Sequence, residues 1–453
     1  MKKKLLEEDE VVNMKNITFF LIIFILLFPV LSFSQQFTEW QPIEEVSAGN
    51  FFGVGARAMG MGGAHIACVN DATALFYNPA GLARVKRLEL SLGLTHQRFK
   101  NETGFSTVPS NLMDYIPYYE NVSRRQSNTR FSSASFVYPV PTYRGSLVFG
   151  LGVFRMMSFD KTFKYSYIPS SIFMITDAGE ELVSESGGVN MWSAGGALDI
   201  SPNISIGLAL NYWHGGEDYS LESEYSFWQN DTLFWLRYND EIYDDYSGFS
   251  AKLGMSVWPS KYFSFGLTLE SPTWLTVDEE YILRTESTYD IPWTDTIWIE
   301  EDRGFPLYKL THPYKFGMGA AFYFKNILLT GDINYTDWSQ LKYREGFEIG
   351  EKNRNVKEYY RDVLRWGVGA EVLVPWISSK LRAGYYSDPL PYDSPFLNSD
   401  RDYLTFGFGF LIDRVMTIDF GWIHGFYNFE YEQDSFKEDY TTDRFYITTA
   451  FRL

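Results

Sequence analysis

From residue 87 onward the apolar residues of this chain fall on every second position. Leu88, Leu90, Leu92 and Leu94 alternate with Glu89, Ser91 and Gly93, and Ile204, Ile206, Leu208, Leu210 and Tyr212 alternate with Ser205, Gly207, Ala209 and Asn211. Phe263, Phe265, Leu267 and Leu269 repeat the pattern, as do Met416, Ile418, Phe420 and Trp422. Period two gives a strand one apolar face and one small or polar face. One such strand suits a soluble sandwich and a membrane barrel equally, because only the destination of the apolar face differs.

The connections separate the two. About fourteen strands of ~10 residues are predicted, the first near 87–96, the third at 145–155 and the last near 443–453, each long enough to cross a bilayer at a tilt. Short turns fall at Pro139 to Arg144, Ser201 to Asn203, Trp258 to Lys261, Lys325-Asn326, Val374 to Ser378 and Asp413-Arg414. Long Tyr- and acid-rich loops alternate with them at 97–130, 156–188, 215–246, 272–312, 336–361, 387–401 and 425–442. Short turns on one rim and long loops on the other are the mark of an outer-membrane barrel, and a sandwich has no reason to show them. Closure also removes the edge strands that would make so aromatic a sheet aggregate. The expected fold is all-β: a transmembrane antiparallel β-barrel of about 14 strands with an N-terminal hatch in its lumen. Both termini face the periplasm, and the chain is expected to be monomeric.

Aromatic residues near strand ends, Tyr212, Trp213, Trp258, Tyr262, Tyr335, Trp376 and Trp422, are read as interfacial girdles. The chain ends on an amphipathic strand with Phe445, Ile447, Thr449, Phe451 and Leu453 in one phase.

Ahead of the strands, the continuous apolar run from Ile17 to Leu31 falls short of the ~20 residues of a spanning helix. Lys15 precedes it and the small residues Ser32 and Ser34 follow, the order of a secretory signal peptide. The acidic cluster from Glu7 to Glu10 is foreign to such a leader, which makes Met14 the more natural start. The expected organisation is residues 1–34 as signal peptide, 35–86 as N-terminal segment and hatch, and 87–453 as barrel.

Composition narrows the chemistry. A net charge of −18 argues against nucleic acid as a partner. Mean hydropathy of −0.20 would suit a soluble chain, but a barrel hides its apolar band in alternate residues. Cys68 is the one cysteine, so there is no disulfide framework. The five histidines, His65, His96, His214, His312 and His424, have no metal-type spacing and no catalytic constellation is visible, so neither cofactor, metal nor enzymatic activity is expected.

The segment from Gly55 to Leu82, GARAMGMGGAHIACVNDATALFYNPAGL, is rich in Gly and Ala. That composition lets backbone pack closely in a confined space and take positive φ. It lacks the ending of a phosphate loop and the spacing of a dinucleotide fingerprint. Candidate hatch residues are Gly55, Arg57, Gly60, Gly62, Gly63, Asp71, Asn78, Pro79, Ala80 and Gly81. Alternation turns Glu89, Lys252, Glu270, Asp332, Arg365, Glu371, Arg382 and Asp419 into the lumen, where mixed signs suggest pairing with one another and with Arg57 or Asp71.

With the motif from Asn78 to Gly81, the TDWSQ run from Thr336 to Gln340 and LRAGYY with SDPLP from Leu381 to Pro391, the chain resembles the FadL/TodX-like outer-membrane transporters of long-chain fatty acids and aromatic hydrocarbons. The resemblance implies uptake of a hydrophobic compound, captured by extracellular loops, passed beside the hatch and released sideways into the membrane at a kinked third strand. Gly150 and Gly152, inward on that strand, are the candidate lateral opening, or else they make room for the hatch. The partners implied are a hydrophobic or lipid ligand and the outer-membrane lipids. Apolar loop residues such as Met113, Ile116, Ile172 and Phe173 suit capture. Two other readings exist on this fold: a scaffold or shuttle of protein secretion, and an outer-membrane lipid hydrolase.

Overall fold

A computed structural model describes residues 53–105, 122–167, 179–229, 232–291, 294–346, 348–391, 401–431 and 436–453. The leader and the loop residues Met113, Ile116, Ile172 and Phe173 lie outside the described residues. Strands occupy β1 (Glu89–Phe105), β2 (Val122–Val140), β3 (Leu147–Arg155), β4 (Lys161–Tyr167), β5 (Gly179–Ser201), β6 (Ile204–Gln229) and β7 (Thr232–Ser260). They continue as β8 (Phe263–Glu270), β9 (Trp274–Ile291), β10 (Thr294–Gly304), β11 (Leu307–Thr311), β12 (Lys315–Phe324) and β13 (Ile327–Asp337). The last are β14 (Lys342–Glu345), β15 (Asp362–Val374), β16 (Ser379–Asp388), β17 (Arg401–Ile412), β18 (Met416–Tyr431) and β19 (Phe436–Arg452).

Fourteen of these form one antiparallel ring in the order β1, β2, β3, β5, β6, β7, β8, β12, β13, β15, β16, β17, β18, β19, closed by pairing of β19 with β1 from Glu89↔Arg452 upward. The expected barrel is therefore present with its expected strand number. All six short turns fall where the alternation placed them. At Asp413 and Arg414 both φ values are positive, 48° and 60°, the geometry whose twist matches a two-residue hairpin.

The apolar face points out. Leu92, Leu210 and Phe249 are 55%, 60% and 61% exposed, which a soluble protein would not sustain in every strand but lipid satisfies. Trp192, Tyr212, Phe249 and Trp274 stand opposite one another on β5, β6, β7 and β9 and mark the outer edge of that band. Tyr262, Tyr335, Trp376 and Trp422 are also on the outside. Trp213 and Trp258 correct the expectation. Trp213 is buried, and Trp258 lies under the Arg84 guanidinium, 4.8 Å from its ring centroid. Both have the lumen phase of their strands, so position near a strand end did not make them girdle residues.

The larger correction concerns the long loops. Segments 215–246 and 272–312, read as loops, are mostly strand: β6 and β7 stay paired as far as Gln229↔Thr232, and upper β7 exchanges β8 for β9 at Phe249↔Trp274. Above the lipid band no face needs to be apolar, so the alternation ends while the backbone ladder continues. The result is a projecting crown, with β10 on β9 and β11 between β9 and β14.

Candidate functional site

The segment from Gly53 to Arg84 is almost wholly buried and folds as two four-residue helical turns, α1 (Ala56–Met59) and α2 (Ala74–Tyr77), followed by a 3-10 turn Pro79–Arg84. It touches strands on all sides of the ring. Ala56 N–H donates to Thr448 Oγ on β19 (3.0 Å) and Gly62 N–H to Thr405 Oγ on β17 (2.9 Å). Ser264 Oγ on β8 donates to the Ala67 carbonyl (2.8 Å), and Glu89 on β1 accepts from Ala72 N–H (2.8 Å). A segment bonded to opposite walls lies between them.

The seat is made of missing side chains. A Cβ on Gly266 would stand 2.5 Å from the Ile66 carbonyl oxygen, and one on Gly207 or Gly384 would overlap backbone at Pro79 or Gly62. Each glycine lies three to five residues above a short-turn end, so the seat is in the half of the barrel nearer the short turns. Gly55, Gly62 and Gly63 have φ of +80°, +66° and +66°, which glycine adopts without penalty. Gly60 packs on Gly407, and Gly81 on Val69. Asn78 fixes the far corner: its Nδ2 donates to the carbonyls of Ile66 (3.0 Å) and Met255 (3.2 Å), while its Oδ1 caps Ala80 N–H (3.1 Å) ahead of Pro79 and Gly81.

Charges tie this segment to the wall. Arg57 reaches Asn70 (2.6 Å) and Asp71 (3.4 Å) beside it, and its Nε reaches Glu371 Oε2 on β15 (3.2 Å). Glu371 also accepts from Arg382 Nε (2.8 Å) and Lys380 (2.8 Å), and Arg382 continues to Asp419 (2.7 Å). Asp332 Oδ2 accepts the backbone N–H of Ile66 (2.7 Å), and Lys252 bridges the Phe76 carbonyl (2.7 Å) and Glu270 (2.9 Å). Arg365 lies higher on β15, facing Asp388 and Asp332 rather than joining Arg57. Sequence reasoning treated His65 as isolated, yet its Nδ1 is 3.2 Å from Cys68 Sγ and its Nε2 3.8 Å from Asp71. The i, i+3 spacing was the available signal. His65 and Cys68 are buried inside the segment, out of reach of a substrate.

No break in the strand ladder falls at Gly150 or Gly152. β3 is laddered without a break to β2 from Leu147 to Phe154 and to β5 from Leu147 to Arg155, and Gly150 faces Leu75 and Leu82 as part of the hatch seat. The interruption lies at 156–160, where Met157, Ser158, Phe159 and Asp160 are buried before β4 resumes on β5 alone. The ladder to β2 ends at Ser133↔Phe154, and beyond it Asp160 is joined to Arg130 of β2 by an ion pair (2.5 Å). Gly187 holds the fold from β5, its carbonyl accepting from Phe159 N–H (3.3 Å) and Arg155. This seam had no sequence signature beyond Arg155 and Asp160 flanking an apolar run.

Above the hatch the lumen wall is apolar and aromatic, with Phe154, Met191, Trp213 and Leu275 buried in it and Phe76 of the hatch 6.2 Å from Phe154. Beside it sits a polar group of side chains. Lys315 lies over the Trp213 ring (5.7 Å) and opposite Glu270 in register. Both ring nitrogens of His312, the Thr273 hydroxyl and Glu270 Oε1 are buried without a hydrogen-bond partner among the described residues.

Solved structures share this fold, among them two toluene transporters and a FadL homologue. The toluene transporter TodX of P. putida is 14% identical, with 89% of this chain and 99% of that one covered at a TM-score of 0.59. A FadL homologue of Pseudomonas aeruginosa is 15% identical, covering 89% and 100% at 0.58, and the Ralstonia pickettii toluene transporter TbuX is 14% identical, covering 89% and 99% at 0.55. No curated protein matches the sequence. The model of the outer membrane protein transport protein family (OMPP1/FadL/TodX) matches residues 34–448, so this chain is a member of that family of outer-membrane β-barrel transport proteins.

Proposed function

We propose that the protein takes up amphipathic hydrophobic compounds, acyl chains with an anionic head foremost, through the lumen above the hatch and releases them through the seam at Met156–Asp160. The observation that carries this reading is the pairing of an apolar wall with buried polar groups that lack partners among the described residues. Each unsatisfied buried group costs about 1–3 kcal/mol, which a ligand head or its water would recover. Lys315 and Lys252 face one carboxylate, Glu270, leaving positive charge for an anionic head, while Trp213, Phe154 and Met191 accept the chain. An aromatic hydrocarbon, such as the toluene named for TodX and TbuX, would use the wall and leave the polar groups unanswered.

Binding of a labelled long-chain fatty acid and of toluene to the purified barrel tests the choice. Replacing Lys315 with Met should weaken fatty-acid binding about tenfold, the scale of one charge-assisted bond, and leave toluene unaffected. Equal losses for both ligands would remove the head-group role; toluene binding alone would favour the hydrocarbon reading.

A further inference from the structure

At the root of the crown, three carboxyls stand in one row across three strands: Glu217 on β6 is opposite Asp244 on β7, and Asp244 is opposite Glu279 on β9. Like charges directly opposite in a sheet repel. The row lies above the aromatic edge at Tyr212 and Phe249, outside the lipid band. Tyr246 sits inside it, fully buried, with its hydroxyl 2.8 Å from Asp244 Oδ2 and 3.1 Å from Glu217 Oε2. A phenol has one proton to donate, so it is shared between the two carboxyls and cannot offset the charge of both at full strength; protonation of one relieves their repulsion.

Two links run from this row to the seam. The Tyr246 ring packs on Phe159 at 6.0 Å, and Glu217 is the cross-strand partner of Gly187, whose carbonyl holds Phe159 N–H and Arg155. We propose that Glu217 is a proton switch for the seam: its protonated form keeps Tyr246, Phe159 and the connection Met156–Asp160 folded inward, and its ionisation frees them. This rests on the seam being the exit only for its effect on uptake.

The surrounding charges fit. Glu185 on β5 faces Glu217 and raises its pKa, while Lys161 of β4, paired with Glu185 (3.4 Å), also faces Glu217 and offsets part of that rise. Asp245 adjoins Asp244 on β7, Tyr308 of β11 faces Tyr246, and Lys352 on α3 (Ile349–Tyr359) faces Asp244 and Glu279. Burial, and then the Glu185 carboxylate, push Glu217 up to about 8, while burial and the adjoining carboxylates raise Asp244 and Glu279. An acid whose pKa is raised in the inward state and ordinary, 4.5, once solvated favours the inward state at low pH. The equilibrium then shifts outward by up to about tenfold per pH unit between 4.5 and 8, and stays level above.

The test is 19F NMR of the full barrel in nanodiscs with 4-fluorophenylalanine at Phe159, from pH 5 to 9. The expected result is a resonance that titrates with a midpoint well above the ordinary carboxylate range. Glu217→Gln should hold the low-pH signal throughout, and Tyr246→Phe, which removes the hydroxyl that donates to Glu217 and favours its ionised form, should raise the midpoint. Heat-modified gel mobility checks that each variant is folded. An unresponsive resonance in the parent protein, or the same titration in Glu217→Gln, overturns the switch. If the resonance titrates as expected and fatty-acid uptake does not follow it, the proton switch stands and the exit route fails.

Discussion

Arg57, on the hatch, places its Nε 3.2 Å from Glu371 Oε2 on β15, and that oxygen is shared with Arg382. The hatch is thus tied into a wall network that ends at Asp419 on β18. The Arg382 side chain is 1% exposed, so its removal leaves two carboxylates without their shared cation in a confined site. Replacing Arg382 with Met should destabilise the hatch by about 3 kcal/mol, the usual scale for breaking a buried network from one side. Liposome swelling should show a larger leak of small polar solutes, with barrel mobility on gels unchanged. A tight barrel that has lost fatty-acid uptake would place Arg382 on the ligand path instead.

Gly384 faces the hatch backbone so closely that a Cβ would meet Gly62 N and Met61 C. Rigid backbone lies on both sides, so neither can yield. Gly384→Ala should leave the fourteen-strand ring intact, because the strand pairing does not involve the side chain, yet unseat the hatch. Limited proteolysis from the periplasmic side should cut the variant between residues 53 and 86 much faster than the parent. Equal cleavage rates would mean that the hatch does not depend on this contact. Gly350, on the exposed helix α3, has open space about it and serves as the control.

Much of this architecture is legible in the sequence because lipid writes a strict period of two: Leu208 and Leu210 outward, Gly207 and Ala209 inward. Where lipid stops, so does the code. Glu222, Ser223 and Glu224 alternate nothing apolar, yet they pair with Asn239, Tyr238 and Arg237 as regularly as the strand below. The hatch was marked by its own glycines, and the matching seat, Gly207, Gly254, Gly266, Gly384 and Gly407 at similar heights, was present in the sequence as an unread second signal. The seam was not legible, because it depends on which residues of β2 and β5 face Met156–Asp160, and one strand cannot report its neighbours. For the same reason the row Glu217, Asp244 and Glu279 emerges only from the register of three strands.

The seam itself gives the last prediction. Between β2 and β4 the ladder is replaced by Arg130 to Asp160, and Arg130 is 41% exposed in its side chain while Asp160 is buried. A pair so exposed on one side is worth about 1 kcal/mol at most, which corresponds to roughly fivefold in an opening equilibrium. Arg130→Ala removes the tie to β2 but leaves Asp160 its bonds to Ser158 (2.8 Å) and Arg155 (3.5 Å), so the connection keeps its fold. If cargo leaves here and opening limits release, uptake of a labelled fatty acid should rise up to about fivefold. Gly152→Val should not reproduce this, because its Cβ would meet the Phe154 ring rather than the seam. A folded Arg130→Ala barrel with parental uptake would reject the seam as the exit and leave passage through the hatch as the route.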